Sequence, residues 1–398
     1  MSISIKRPFN GHFPVRWMFI LTVIASVSLW VSNTAHAATA TIETAAKHVI
    51  LIDAESGAVL FEKAADELTP PASMSKIMTM VMVFEALQRG ELNLDNEFHI
   101  SEDAWRRGGA TSGGSTMYAE LNSSIRLEDL IKGVVIQSAN DACIAIAEGM
   151  AGSEQAFADL MTERARELGL EQSVFKNSTG LPDPEHEVTM RELAQIARHQ
   201  IYALKDYYHF YSQTEFTWNN IKQRNRNPLL YQNIGADGLK TGHIQASGYA
   251  LVASAVRSNK RLILAMSGLT SAKQRSKEAR KLMDWGFRHF KTYTLFKYKE
   301  EISKARVWGG TKNWVPLSAK REVRLMLSPV DRKKIRAELV YKGPVSAPIK
   351  KGDPIGKIRF VSGEVTITEI PLFATKDVDQ SGVIDRAIDT LTFMALGG

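Results

Sequence analysis

Ser73-Met74-Ser75-Lys76 sets an amine three residues after a hydroxyl. On a helix, residues i and i+3 share one face, so the two groups would lie one turn apart. A serine hydroxyl alone is a weak nucleophile and needs a partner to take its proton. An ordinary lysine titrates near ~10.4 and is cationic at neutral pH. Lys76 can act as that partner only if burial and a neighbouring cation favour its neutral form. Two further elements follow downstream, Ser138-Ala139-Asn140 and Lys240-Thr241-Gly242. Ser138 can relay a proton to a leaving amine, and the Asn140 amide can hold a substrate chain or Lys76. Lys240 and Thr241 suit a free carboxylate by charge and hydroxyl, with Lys240 also the second cation near Lys76. Gly242 leaves room for an extended substrate along a strand edge. The chemistry is acyl transfer. Ser73 Oγ attacks an amide carbonyl, and the oxyanion is held by backbone N–H groups, assigned to Ser73 and His243. Side-chain base catalysis by His243 is the alternative, but its place directly after the glycine suits a backbone role better.

A second S-x-x-K stands at Ser173-Val174-Phe175-Lys176. The order of motifs chooses between the two, because an S-x-N element follows Ser73 and none follows Ser173. The segment 171–177 lies between a helix and a Gly-Leu-Pro turn, so Lys176 reads as a surface residue. Lone Cys143 lies in an apolar helical stretch without a Cys-His pairing motif and reads as a small buried thiol. The histidines show no metal-ligand spacing, so neither a metal nor a cofactor is expected.

The elements that must position these groups can be read from periodicity and turn residues. His48–Asp53 and Ala58–Phe61 read as a hairpin around Ser56-Gly57. A helix should follow Pro70-Pro71, from about Ser73 to Arg89, ending at Gly90. The glycine- and serine-rich stretch 106–115 reads as a flexible loop. Residues 127–150 are broadly helical, and Thr189-Met190-Arg191-Glu192 is a capping box that opens another helix. Tyr249–Val256 and Arg261–Met266 flank Ser258-Asn259 as a second hairpin, and a helix over 276–289 closes the unit. Residues 38–291 thus form an α+β unit whose terminal strands can join one antiparallel sheet with helices packed on it.

After residue 291 the texture changes. Val323–Leu327, Ile335–Tyr341, Ile355–Phe360 and Val365–Ile370 read as short strands, so residues 292–376 are expected to be a small all-β sandwich domain. This stretch carries 18 basic and 8 acidic side chains, more than the whole chain's net +7. Such a module suits anionic lipid or wall polymer, and equally a solvated surface. In the last segment, 377–398, Val383, Ile384, Ala387, Ile388, Leu391, Met394 and Ala395 share a helical arc opposite Asp385, Arg386 and Asp389. That helix can lie in a membrane surface or pack on the protein. At the other end, residues 1–37 carry Lys6, Arg7 and Arg16, an apolar run Trp17–Val31 and the small-x-small pattern Ala35-His36-Ala37. This is the order of a secretory signal peptide cleaved after Ala37, and the run is too short to span a bilayer. Export and the lack of any nucleic-acid motif argue against nucleic acid, and none is expected as a partner.

The ordered set S-x-x-K, S-x-N, K-T-G is the signature of penicillin-recognising serine enzymes. The chain resembles the low-molecular-mass penicillin-binding proteins, specifically the D-alanyl-D-alanine carboxypeptidase family of the penicillin-binding protein five/six type. The likeness is carried by Pro71-Ala72-Ser73-Met74-Ser75-Lys76, Gln137-Ser138-Ala139-Asn140-Asp141-Ala142-Cys143 and Asp237-Gly238-Leu239-Lys240-Thr241-Gly242-His243. Asn225-Arg226-Asn227 and Gly248-Tyr249 match as well. The resemblance implies a transpeptidase-like first domain, a small β-domain and a C-terminal amphipathic anchor on the periplasmic face of the inner membrane. It implies removal of the terminal D-alanine from peptidoglycan pentapeptides, with β-lactams acylating the same serine. It further implies that Arg275 helps bind the terminal carboxylate and that the 106–115 loop lies beside the site. Ala139 stands where glycine is common, and the tail is less basic than many family anchors. A β-lactamase would need a carboxylate to activate the deacylating water, and Glu185 and Glu187 lack the E-x-x-L-N setting of one. D,D-endopeptidase activity on cross-links is a further alternative, as is a non-catalytic wall-binding protein, against which the three complete motifs stand.

Overall fold

The computed structural model describes residues 3–4, 42–363 and 365–396. Of the signal-type segment, residues 1–2 and 5–37 lie outside the described residues.

The first compact unit takes in Thr44–Leu295 with Val323–Pro329. Its centre is a five-stranded antiparallel sheet. We label the strands β1 (His48–Asp53), β2 (Val59–Lys63), β3 (Ala236–Ile244), β4 (Gly248–Arg257) and β5 (Lys260–Leu269). Their order is β2-β1-β5-β4-β3. The two ends of the unit's sequence therefore meet in one sheet, with β1 paired to β5, and the K-T-G strand β3 is left at an edge. The middles of β1, β4 and β5 are buried on both faces. Ile50, Ile52, Val252, Ile263 and Ala265 join the main helical core.

The helices are α1 (Lys76–Gln88), α2 (Leu127–Lys132), α3 (Asn140–Ala151), α4 (Glu154–Glu167), α5 (Met190–Ala203) and α6 (Ala272–His289). Nearly every α1 residue from Lys76 to Leu87 is buried. A helix apolar on all sides belongs in the middle of a core, and α1 carries the catalytic candidates there. By contrast α5 buries one stripe, Leu193, Ala194, Ile196 and Ala197 among others. In α6, Gly286 comes against Leu51 and Leu262.

Two local expectations are corrected. The helix expected from Ser73 begins instead with a tight 3-10 turn, Ala72–Ser75, and becomes α-helical only at Lys76. Residues i and i+3 eclipse in such a turn, which aligns Ser73 and Lys76 closely. The second concerns the capping box. Thr189 Oγ1 does accept the Glu192 N–H at 3.1 Å. The Glu192 carboxylate, however, receives the N–H groups of Gln172 and Ser173, at 2.9 and 2.6 Å, rather than turning back on the cap.

The second unit comprises Phe296–Glu322 and the chain from Val330 onward. Strands Ile335–Tyr341, Pro354–Ser362, Val365–Ala374, Trp314–Ser318 and Ser303–Trp308 lie side by side in that order. Val345–Ser346 runs parallel to the last of these. Val323–Leu327, expected among the strands of this domain, belongs instead to the first unit and pairs with Lys291–Phe296 in a separate two-stranded sheet. A short helix, Pro329–Lys334, carries the Arg332-Lys333-Lys334 cluster. A helix also spans Val383–Leu396. Among the described residues no helix is long and apolar enough to cross a membrane.

Candidate active site

The turn Ala72–Ser75 presents Ser73 at the entry to α1. Lys76 is 0% exposed, and its Nζ lies 3.2 Å from Ser73 Oγ. The same amine reaches Asn140 Oδ1 at 2.7 Å and the Thr179 carbonyl at 2.5 Å. Burial pushes Lys76 down to about 8, with Arg226 adding to the shift and the Cys143 thiol, Glu154 and Asp141 opposing it. A substantial fraction of the amine is therefore neutral near pH 8 and able to take a proton from the hydroxyl. Cys143 is itself buried and its thiol is pushed up to about 12, mainly by burial, so it stays protonated.

Ser138 and Asn140 come from the break between α2 and α3. The helix widens through Gly133–Gln137, and Ser138 takes a left-handed backbone (φ 66°) before α3 begins. A non-glycine residue there is strained, and such strain collects at functional sites. The Ser138 side chain is buried, with no hydrogen-bond partner for its Oγ among the described residues. Asp141 anchors the break. It accepts Thr116 Oγ1 at 2.6 Å and the N–H groups of Met117 and Ala119, each at 3.1 Å.

The third element is the edge strand β3. Lys240 is almost fully buried, its Nζ 3.3 Å from the Thr241 carbonyl. Burial holds it well below the usual lysine range, and the positive charges of Lys76 and Arg226 push the same way. Gly242 is small for a reason beyond substrate access. A Cβ there would sit 3.0 Å from the Pro71 carbonyl and 3.1 Å from Met74 Cγ, so the glycine lets the nucleophile turn approach the strand. His243 is exposed, its ring centroid 3.9 Å from that of Tyr249. The Arg275 guanidinium lies 5.7 Å from the same tyrosine ring. Arg275 is buried, its Nε has no partner among the described residues, and burial pushes it down to about 10. Nearby, Arg226 bonds Ser115 Oγ at 2.5 Å, and Asn227 Nδ2 holds the Gly238 carbonyl at 2.7 Å.

The second S-x-x-K falls elsewhere. Ser173 Oγ donates to the Glu192 carboxylate, while Lys176 pairs with Glu185 at 2.8 Å at the surface. The hydroxyl and the amine each have an acidic partner and do not form a nucleophile–base pair.

Several residues of the site were not singled out by sequence reasoning. The Thr179 carbonyl holds Lys76, and Asn177 folds the turn that presents it, accepting the N–H groups of Thr179 and Gly180 at 3.2 and 2.7 Å. Gly180 has φ 79°, and any Cβ there would strike the Ala72 carbonyl. The Asn-x-x-Gly turn spelling was the one available hint. His186 Nε2 lies 2.9 Å from Ser75 Oγ, and burial pushes this imidazole down to about 4. No spacing rule connects residues 75 and 186.

The family described as D-alanyl-D-alanine carboxypeptidase matches residues 32–270, and the penicillin-binding protein 5 C-terminal domain matches residues 290–380. The chain is 38% identical over 362 residues to D-alanyl-D-alanine carboxypeptidase DacC of Escherichia coli K12, covering 89% of this chain and 90% of that one. It is 34% identical over 396 residues to DacA of the same organism, covering 97% and 98%. The crystal structure of penicillin binding protein 5 from Haemophilus influenzae superposes with TM-score 0.75 at 35% identity, over 85% of this chain and 99% of that one.

Proposed function

This chain belongs to the D-alanyl-D-alanine carboxypeptidase family, and we propose that Ser73 is the nucleophile with which it removes the terminal D-alanine of peptidoglycan pentapeptides. It is a serine-type peptidase. In our reading the peptide lies along the free edge of β3, its terminal carboxylate held by Lys240, Thr241 and Arg275. Neutral Lys76 takes the Ser73 proton as Oγ attacks the penultimate D-alanine carbonyl. The N–H groups of Ser73 and His243 receive the oxyanion. Collapse expels D-alanine, Ser138 passing a proton to its amine. Water then hydrolyses the ester by the reverse proton path, and Asn140 keeps Lys76 aimed throughout. β-Lactams acylate the same hydroxyl.

The observation that carries this assignment is the Ser73–Lys76 pair, 3.2 Å apart with the amine sequestered from water. The test labels purified protein with fluorescent penicillin and follows cleavage of diacetyl-Lys-D-Ala-D-Ala. Ser73→Ala should lose both signals and Ser173→Ala should keep both. Label lost in the second variant but not the first would reverse the assignment.

We place the catalytic domain at residues 38–291, the β-domain at 292–376 and an anchor at 377–398, with cleavage of the signal after Ala37. In the terminal helix Val383 and Ile384 are 73% and 78% exposed. Arg386 and Asp389 on its polar side are half-buried, Asp389 accepting the Gly309 N–H at 3.0 Å. An apolar stripe left outward on a helix tied down by its polar side supports peripheral attachment to the periplasmic face of the inner membrane. Cosedimentation with anionic vesicles tests it. Full-length protein should pellet, and protein ending at residue 376 should remain in solution.

A further inference from the structure

Arg107, Glu154 and Ser178 lie on three separate elements around the catalytic lysine. Arg107 is in the helical turn Ala104–Gly108, Glu154 opens α4, and Ser178 is in the turn that leads to Thr179. Arg107 Nη2 donates to Glu154 Oε2 at 2.9 Å, while its Nη1 donates to Asp103 at 2.7 Å. The other Glu154 oxygen accepts both the Ser178 N–H, at 3.0 Å, and the Ser178 Oγ–H, at 2.6 Å. The next residue, Thr179, gives its carbonyl to Lys76 Nζ. Glu154 and Ser178 are buried, so this carboxylate is held in a low-dielectric setting where its charge is felt strongly.

We propose that Glu154 is a positioning residue for Lys76: it fixes the turn whose carbonyl receives the amine and supplies part of the field on that amine, while Arg107, from the turn beside the site, tempers that field. The proposal rests on the reading of Lys76 as the base. Lys76 is faced by the Ser73 hydroxyl, Asn140 Oδ1 and the Thr179 carbonyl. The surrounding charged and titratable groups are Arg226, Lys240, Asp141, the Cys143 thiol, His186 and Glu154. Of these, Arg226 drives the proton off, as burial does. The Cys143 thiol, Glu154 and Asp141 hold it on. Removing the Glu154 charge lets Lys76 lose its proton at lower pH. Removing the Arg107 charge leaves Glu154 less neutralised and does the opposite.

The experiment measures second-order acylation by fluorescent penicillin from about pH 6 to pH 10 in wild type, Glu154→Gln and Arg107→Gln. Glu154→Gln keeps the shape and an oxygen for Ser178. We expect its ascending limb to move down by about half a pH unit. Arg107→Gln should move the limb up. Its side chain is 45% exposed, so this variant decides the matter if Glu154→Gln does not fold. Limbs that stay at the wild-type midpoint, or move the other way, overturn the proposal whatever happens to the plateau rates. A wild-type enzyme with no ascending limb would remove the base assignment and this proposal together.

Discussion

Ser73 and Ser173 begin the same four-residue pattern, and both are wholly or partly buried and fixed by hydrogen bonds. They differ in what the fold brings to them. Around Ser73 the partner is a buried amine whose hydrogen bonds run to Asn140 and the Thr179 carbonyl, 64 and 103 residues away. Around Ser173 it is the carboxylate of Glu192, which also takes the Ser173 N–H. An amine whose proton burial has loosened can take one from a hydroxyl. A carboxylate holding both the N–H and the hydroxyl of one serine ties down a turn. Reactivity is thus decided by the dielectric and by the third partner, not by the spacing that both sites share.

The sharpest way to break this contrast is to remove each lysine. Lys76→Ala should slow acylation by about a thousandfold, within the range typical of a lost general base. Lys176→Ala should leave acylation within experimental error. Equal effects would mean that burial does not separate the two sites.

The pH dependence of acylation is the next test. The neutral amine is the active form and Lys76 is pushed down to about 8. The rate should therefore rise with pH through a midpoint near about pH 8 and level off about one unit above it. A limb near ~10.4, the unperturbed lysine position, would show that the amine is solvated.

Gly242→Ala then asks how closely the strand must approach the nucleophile turn. With a Cβ 3.0 Å from the Pro71 carbonyl, the turn or the strand must give by a few tenths of an ångström. Acylation should fall roughly tenfold, since small misplacements at a reacting centre are costly. An alanine variant as fast as wild type would show that the approach has slack.

On the other side of the comparison, Glu192→Gln should lower stability by about 1–3 kcal/mol, because the carboxylate is replaced by a weaker acceptor for buried donors. Thermal denaturation measures this. Penicillin labelling should stay on Ser73. New label at Ser173 would mean that the carboxylate alone had been suppressing a second nucleophile.

Much of this molecule was legible one residue at a time. Glycines, prolines and alternating apolar residues mark the hairpins, and the ordered motifs at Ser73, Ser138 and Lys240 mark the chemistry. These signals are local, so they survive in a bare string of letters. Tertiary structure decided the rest. That burial lowers Lys76's hold on its proton, that Glu192 serves Ser173 rather than its own cap, that Gly242 makes room for Pro71, and that the Thr179 carbonyl meets the amine all depend on segments far apart in sequence. The physical reason is that proton affinity and close packing are set by everything within a few ångströms, and a sequence does not state which of its distant residues those will be.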